Sequence, residues 1–325
     1  MTPLPLVTVL IPARNEAVDI EGCLRCVAAQ DYPVNRIEVI VVDGASTDAT
    51  AEIARQVLGR GGFASTAVFN NPTATTPSNL NVGLARATGD ILCRVDARTR
   101  IEPHHVRTCV EVLSARPDVV VVGGAQVAVD RDGSARSRGI ARALNNRYSM
   151  GGSAYRRATE STDTETVYLG AFRTAHLRAA GGWDERLPTN QDFELNRRLG
   201  RAGVVWFDAR LRSGYVPRAT VRDLWKQFRR FGEAKVGYWR TTGDPPRPRQ
   251  LAALVAPLVA GVGMLLVGSW RSKVVAGVAG VVIVDELGSA RRPAPPLVRL
   301  WSSVAVVAIT GGWTVGAWRA LVSRG

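Results

Sequence analysis

Between Leu6 and Val122 short apolar runs alternate with segments of helical period, and that alternation leaves few folds open to the chain. Leu6 to Ile11, Ile37 to Val42, Thr66 to Phe69, Ile91 to Val95 and Val119 to Val122 read as strands. Ala17 to Ala29, Thr47 to Leu58, Ser78 to Ala87 and Pro103 to Ala115 read as the helices between them. A helical crossover returns the chain to the edge it started from, so successive strands run parallel. The expected class is α/β, a Rossmann-like, mostly parallel sheet flanked by helices. After Asp130 the rhythm breaks, and Asp130 to Thr164, rich in Gly, Ser and Arg, is expected to be a long loop region over the sheet. A strand near Val167 to Phe172, a helix from Gln191 to Arg201, a strand at Val204 to Phe207 and a basic, aromatic helix from Arg222 to Trp239 complete the reading. No internal repeat is visible.

The last quarter of the chain has another character. Leu251 to Ser269 contains no charged residue, a length that matches the roughly 20 apolar residues of a membrane span. A second such run goes from Leu300 to Trp318, with Trp301, Trp313 and Trp318 within it or at its ends. Val274 to Val284 is apolar but shorter, closed by Asp285 and Glu286, and could be a short span, a re-entrant piece or an interfacial helix. Buried core helices are the competing explanation; two long charge-free runs at one end favour a membrane. The expected division is therefore a catalytic domain over 1–217, a basic interfacial helix and linker over 218–249, and a membrane region with two or three apolar helices over 250–325.

Charge and the N-terminus agree with that division. Leu4 to Ile11 is too short for a signal peptide, lacks a basic leader and runs directly into Arg14-Asn15-Glu16, so the first domain is expected in the cytoplasm. Formal net charge is +14, and Arg218, Arg222, Lys226, Arg229, Arg230, Lys235, Arg240, Arg247 and Arg249 precede the first apolar run. Basic residues beside a membrane segment favour the cytoplasmic side and anionic headgroups. No nucleic-acid-binding motif accompanies the charge, so nucleic acid is not an expected partner. Arg outnumbers Lys 39 to 3, which makes codon composition part of this bias. Cys23 and Cys26 form a CxxC inside a helical pattern with no second pair to complete a zinc site, and the four cysteines read as reduced thiols.

In an open parallel sheet, ligands bind beyond the carboxyl ends of the strands. Three such ends carry polar groups: Pro12-Ala13-Arg14-Asn15-Glu16, Asp43-Gly44-Ala45-Ser46 and Asp96-Ala97-Arg98. A carboxylate directly after an apolar strand is costly unless it has a partner. Each acid alone reads equally well as a helix cap; the three together favour a site. No GxGxxG follows the first strand and no GxxxxGK[ST] occurs, which argues against a dinucleotide dehydrogenase or a P-loop enzyme. Phosphates would then be met by a hard divalent ion on carboxylate oxygens, with Asp96 the natural ligand. Further on, Thr189-Asn190-Gln191-Asp192 opens a helix behind Gly181-Gly182-Trp183-Asp184-Glu185. A carboxylate near a helix N-terminus is favoured in its ionised form, which suits Asp192 as a general base or, more plainly, as a first-turn cap.

Taken in order, Pro12-x-Arg14-Asn15-Glu16, Val41-Val42-Asp43-Gly44-x-Ser46-x-Asp48, Arg94-Val95-Asp96-Ala97, Gly181-Gly182-Trp183-Asp184-Glu185, Asn190-Gln191-Asp192 and Gln227-Phe228-Arg229-Arg230-Phe231 resemble family-2 glycosyltransferases of the GT-A fold. Within that family the sequence is most similar to succinoglycan-type exopolysaccharide glucosyltransferases, which also carry a short C-terminal membrane region. The resemblance runs from about Val7 to Trp239, and its weight lies in six weak motifs in the right order. It implies that Pro12, Arg14 and Glu16 line the nucleotide pocket and that Asp43 hydrogen-bonds the base. It places Asp96 at the first acid of a DxD motif, binding Mg2+ or Mn2+ and the donor diphosphate, and Asp192 at the catalytic base. Gln191, Gln227, Arg230 and Phe231 stand near the acceptor or the diphosphate, the last three as a QxxRW motif with Phe for Trp. Arg98 stands where DxD has its second acid; it cannot ligate a metal but can pair with phosphate.

The implied activity is an inverting transfer of a hexose from a nucleotide-sugar donor such as UDP-glucose to a lipid-linked or membrane-bound acceptor, at the cytoplasmic membrane with the catalytic domain on the cytoplasmic side. Two other readings stay open. A nucleotidyltransferase is also α/β with a phosphate-binding acid, but gives no reason for the Gln191-Asp192 helix or the apolar tail. A non-catalytic membrane scaffold with a degenerate transferase domain is kept alive by Arg98.

Overall fold

The computed structural model describes residues 3–149, 158–266, 268–289 and 293–323. The chain opens with β1 (Val7–Ala13), α1 (Ile20–Ala28), β2 (Ile37–Asp43), α2 (Thr50–Leu58), β3 (Ser65–Asn70), α3 (Thr76–Arg86) and β4 (Ile91–Arg94). Next come β5 (Thr99–Arg100), α4 (His105–Ala115), β6 (Val119–Ala128), α5 (Ala135–Asn145), β7 (Thr162–Asp163), β8 (Tyr168–Arg173) and α6 (Thr174–Ala179). The remainder is α7 (Gln191–Leu199), β9 (Val204–Tyr215), α8 (Val221–Thr242), α9 (Pro248–Leu266), α10 (Trp270–Gly288) and α11 (Pro296–Val322).

Among the described residues nine strands make one sheet in the order β3-β2-β1-β4-β8-β6-β9-β5, with β7 also on β9. β3, β2, β1 and β4 are parallel, as their helical crossovers require, and β8 then runs antiparallel to β4 and to β6. Every residue of β1 and β2 is buried, because helices cover both faces. Period two then splits β1 between two cores. Val7, Val9, Ile11 and Ala13 pack toward Ile20, Leu24 and Val27, whereas Leu10 packs toward Leu80, Leu84 and Leu195. Truncating Leu10, fully buried, would cost about 2–5 kcal/mol.

The described chain falls into two compact units, one of Met1–Val127 with Ala154–Tyr215 and one of Ala128–Ser153 with Val216–Gly325. The chain passes between the units at Ala128, Ala154 and Val216. The stretch expected as one long loop contains α5, capped by Ser134 through the Ser137 backbone N–H, and α5 belongs with the C-terminal helices. Its apolar side is spaced by arginines, which hid the helical period; residues 150–157 of that stretch lie outside those described. In the second unit α11 packs along α8 and α5. Among the described residues α11 is the one helix long and apolar enough to cross a membrane, and 56% of its most apolar window is buried inside the protein.

Candidate active site

β1 and β2 end in register, Ala13 opposite Asp43, so both loops leave from one edge of the sheet; the Val95 N–H bonds the Leu10 carbonyl and brings the β4 end beside them. The first two loops lock each other. The Asn15 backbone N–H donates to Ser46 Oγ at 2.8 Å, and Asn15 Oδ1 accepts from the Thr47 N–H at 2.8 Å. Asp43, 5% exposed, accepts from the Ser46 N–H at 3.1 Å and the Ser46 hydroxyl at 2.5 Å. Asn15 and Ala45 sit at φ 53° and 52°, a left-handed conformation rare for residues with a side chain. Pro12 is buried in β1, and Arg14 reaches the Ala74 carbonyl at 3.1 Å. The loops thus form a rigid, partly strained cradle around the edge where Asp43 sits.

Arg94 and Asp96 lie two residues apart at the end of β4, on one face of the extended chain. Arg94 is buried, with 7% of its side chain exposed, and its Nε and Nη2 donate to the two Asp96 oxygens at 2.8 and 3.3 Å. Its Nη1 donates to Asp192 Oδ1, from the first turn of α7 and 98 residues further along the chain. One guanidinium therefore clasps the acid expected to meet the diphosphate and the acid expected to act as base. Arg94 appeared in the sequence only as part of a motif. Its signal was a cation inside an apolar strand, two residues before an acid.

A staple holds α7 in place. Asn81 on α3 donates to the Trp183 carbonyl at 2.8 Å and Glu185 at 2.9 Å, and accepts from the Trp183 N–H at 2.9 Å. Gly182, at φ 67°, lies so close that a Cβ there would sit 2.5 Å from Asn81 Oδ1. Arg198, near the end of α7, donates to the Gly182 carbonyl at 2.7 Å. Trp183 packs edge-on against Phe172, and Asn190 enters the helix at φ 63°. Gln191, next to Asp192 in the chain, is buried.

The electrostatics of Asp192 differ from the sequence expectation. A helix N-terminus alone would hold its carboxyl low. Loss of water in the cleft pushes its pKa up, Arg94 pulls it down, and the like charge of Asp96 pushes it up again, so that the balance lies above the ordinary carboxylate value. The side chain still keeps 44% of its surface exposed.

Arg98 turns to Glu16, its Nε donating to both carboxylate oxygens at 2.9 and 2.7 Å. Two residues expected to meet the donor separately are thus one buried ion pair, and Arg98 Nη1 makes no hydrogen bond among the described residues. No group of three or more His, Cys, Asp or Glu side chains able to hold a metal occurs among the described residues. Asp96 presents one carboxylate already shared with Arg94, so the residues suit an ion completed by diphosphate oxygens and water rather than one held by protein alone. Gln227, Arg230 and Phe231 belong to α8 in the other unit, where Arg230 and Phe231 are exposed.

Comparison with known proteins gives these residues a setting. The family model described as glycosyl transferase family 2 matches residues 8–176, which takes in the three loop ends and stops before Asp192. Succinoglycan biosynthesis protein ExoA of Rhizobium meliloti (strain 1021) is 30% identical over 97% of this chain and 94% of its own length. The dolichyl N-acetyl-alpha-D-glucosaminyl phosphate 3-beta-D-2,3-diacetamido-2,3-dideoxy-beta-D-glucuronosyltransferase of Methanococcus voltae is 27% identical over 70% of this chain and 72% of its own length. The mannosyltransferase PcManGT from Pyrobaculum calidifontis, solved in complex with GDP-Man and Mn2+, superimposes with a TM-score of 0.64 at 19% identity, covering 100% of this chain and 89% of that one.

Proposed function

The chain belongs to glycosyltransferase family 2, a glycosyltransferase of GT-A fold, and from that premise we propose that it transfers a hexose from a UDP-sugar such as UDP-glucose, with inversion, to a lipid-linked acceptor at the cytoplasmic face of the membrane. The observation that carries the reading is the Arg94 clasp, which gathers Asp96 and Asp192 from distant parts of the chain to one sheet edge. The relatives support the substrate classes by name: succinoglycan for polysaccharide, a dolichyl phosphate sugar for a lipid carrier, and GDP-Man for a nucleotide-sugar donor.

In this reading Pro12, Arg14 and Asp43 hold the nucleoside in the cradle of the first two loops. Arg98, steadied by Glu16, offers its remaining N–H groups to a phosphate oxygen. Asp192 takes the proton from the acceptor hydroxyl. The freed oxygen forms the new bond at the anomeric carbon from the face opposite the nucleotide, and the bond to the diphosphate oxygen breaks with its electron pair on UDP. One displacement and one carboxylate base give inversion. Mg2+ or Mn2+, held by Asp96 and the donor together, would supply positive charge against the departing diphosphate. Gln191, Gln227, Arg230 and Phe231 are assigned to the acceptor or the diphosphate.

Incubation with UDP-glucose and a bacterial lipid extract tests this directly. UDP release with a glycolipid of inverted anomeric configuration is expected. Pyrophosphate release would make the protein a nucleotidyltransferase, and donor binding without either product would make it a scaffold. Excess EDTA should stop turnover; full activity in EDTA would remove the metal and leave Asp96 without its role.

A further inference from the structure

α3 is tied at its N-terminal end to the loops proposed for the nucleotide, and further along to the segment that leads into α7. Just ahead of α3, the Asn71 N–H donates to the Asp43 carbonyl at 2.7 Å, and its amide donates to Ser78 Oγ at 3.0 Å and Asn79 Oδ1 at 2.9 Å. The Ala74 carbonyl accepts from Arg14, and a Cβ at Gly44 would fall 2.7 Å from Asn79 Nδ2. Asn71, Ser78 and Asn79 are all buried. The loop after β2 therefore cannot shift against α3 without leaving buried polar groups unpaired.

Asn81 lies two residues beyond Asn79, so the two side chains leave α3 on different sides. Asn81 spends its whole amide on the Trp183 peptide and Glu185. From α7, Arg198 donates to the carbonyls of Ala180 and Gly182 and is itself held by Glu194 at 2.8 and 2.9 Å. The same turn is thus gripped from both helices. Leu80 and Leu84 of α3 share one buried core with Trp183 and with Leu195 of α7. Apolar contact is non-directional and would let α7 slide on that core, whereas hydrogen bonds to one peptide fix its place. Trp183 also acts on Asp192 directly. Its indole N–H is buried short of a full hydrogen bond, and against the loss of water that raises the Asp192 pKa it joins Arg94 in drawing it down.

Taking Asp192 as the base, as proposed above, we propose that Asn81 is a positioning residue for transfer: it fixes the Trp183 turn to α3, and α3 thereby sets the distance between the nucleotide loops and the base. Arg94 aims the carboxylate; Asn81 decides where the helix that carries it stands. The fold does not hang on Asn81. At the end of α3 the Leu84 carbonyl accepts from Arg178 at 3.1 Å, the Ala87 carbonyl accepts from the same guanidinium, and the leucine core is independent of both.

Asn81→Asp in the full-length chain tests this. It keeps the shape and the acceptor for the Trp183 N–H, but turns an oxygen toward the Trp183 carbonyl and Glu185. With UDP-glucose and a bacterial lipid extract, kcat is expected to fall about 10- to 100-fold, the range of a displacement of about 1 Å at the reacting atoms. Donor KM, and UDP affinity by calorimetry, should stay within a few-fold. Amide hydrogen exchange should quicken across α7 and stay as it was in β2. Adding Glu185→Gln, which returns a donor to the new carboxylate, should recover part of kcat. Arg198→Gln cuts the same link from α7 and carries the same expectation should Asn81→Asp not fold. Unchanged kcat, unchanged exchange in α7, or a loss of UDP affinity equal to the loss of kcat overturns the proposal. Asp192→Asn in the same assay keeps the two readings apart: wild-type turnover there would remove the base on which the proposal rests, whatever Asn81 does.

Discussion

Asp192 and Asp285 are each drawn to a guanidinium inside the protein, yet the two regions use the same chemistry for opposite ends. Asp285 has Ser302, Ser303, Ser289 and Asn146 as donors and Arg142 at 3.9 Å, with none of its surface exposed. Its lone pairs are spent on joining α10, α11 and the end of α5. Asp192 has the Arg94 clasp, a repelling acid beside it and nearly half its surface in the cleft. A carboxylate with a full donor set is a joint. One with fewer donors and part of its surface exposed suits a reagent, the part proposed for Asp192.

The largest test of that contrast is Asp192→Asn. Turnover should fall by about 10²–10⁴, the range of general-base catalysis, with donor affinity within a few-fold of wild type by calorimetry. A carboxylate with a raised pKa stabilises the fold in its protonated form. That contribution is present below the unfolded pKa and gone once pH rises through the folded one, so at neutral pH the amide should not lower Tm. A fall in donor affinity equal to the fall in rate would move Asp192 into the donor pocket.

Asp285→Ala should give the opposite signature. It leaves the buried Ser302 and Asn146 donors without their acceptor, while Arg142 keeps Glu286 at 3.3 Å, at a cost of about 1–3 kcal/mol in denaturant melts. Transfer per folded molecule in detergent should stay within two- to three-fold, roughly the scatter of a remote stability change. A large loss of kcat in protein that is still folded would erase the distinction between joint and reagent.

Arg94→Lys sharpens the comparison from the other side. An ammonium cannot hold both Asp96 oxygens and Asp192 at once, so about 10- to 100-fold in kcat should go, corresponding to one or two charge-assisted hydrogen bonds. UDP affinity measured without metal should hardly move, since Arg94 touches neither loop of the nucleoside cradle. The smallest effect is in the pH profile. The acid limb of kcat should fall off above the ordinary carboxylate range of about 4, because Asp192 must be ionised and its pKa is raised. A limb at or below that value would mean the cleft is wetter than its walls suggest.

The sheet was legible in the sequence because β1, β2 and β4 are covered on both faces and so read as unbroken apolar runs. The loop ends after them were legible because a polar cluster there has few other uses. The clasp was not, since an Arg inside a strand looks like an interruption until its partner, 98 residues away, is in place. Glu16 and Arg98 were hidden for the same reason: each was legible as charge, and neither as half of an ion pair. α5 was missed because arginines interrupt its apolar side, and hydropathy alone could not show that α11 packs against the charged helix α8.

The spacing of the site along the chain has a consequence for biosynthesis. β3, β2, β1 and β4 are neighbours both in space and in sequence, so the nucleoside cradle can form once about the first third of the chain has left the ribosome. The base arrives later, on a helix whose seat depends on β8 docking against β4 in the opposite direction. In the proposed reading a nascent chain would thus have its nucleotide loops before its base. The pairing of longer range is also the one that would seat the proposed base.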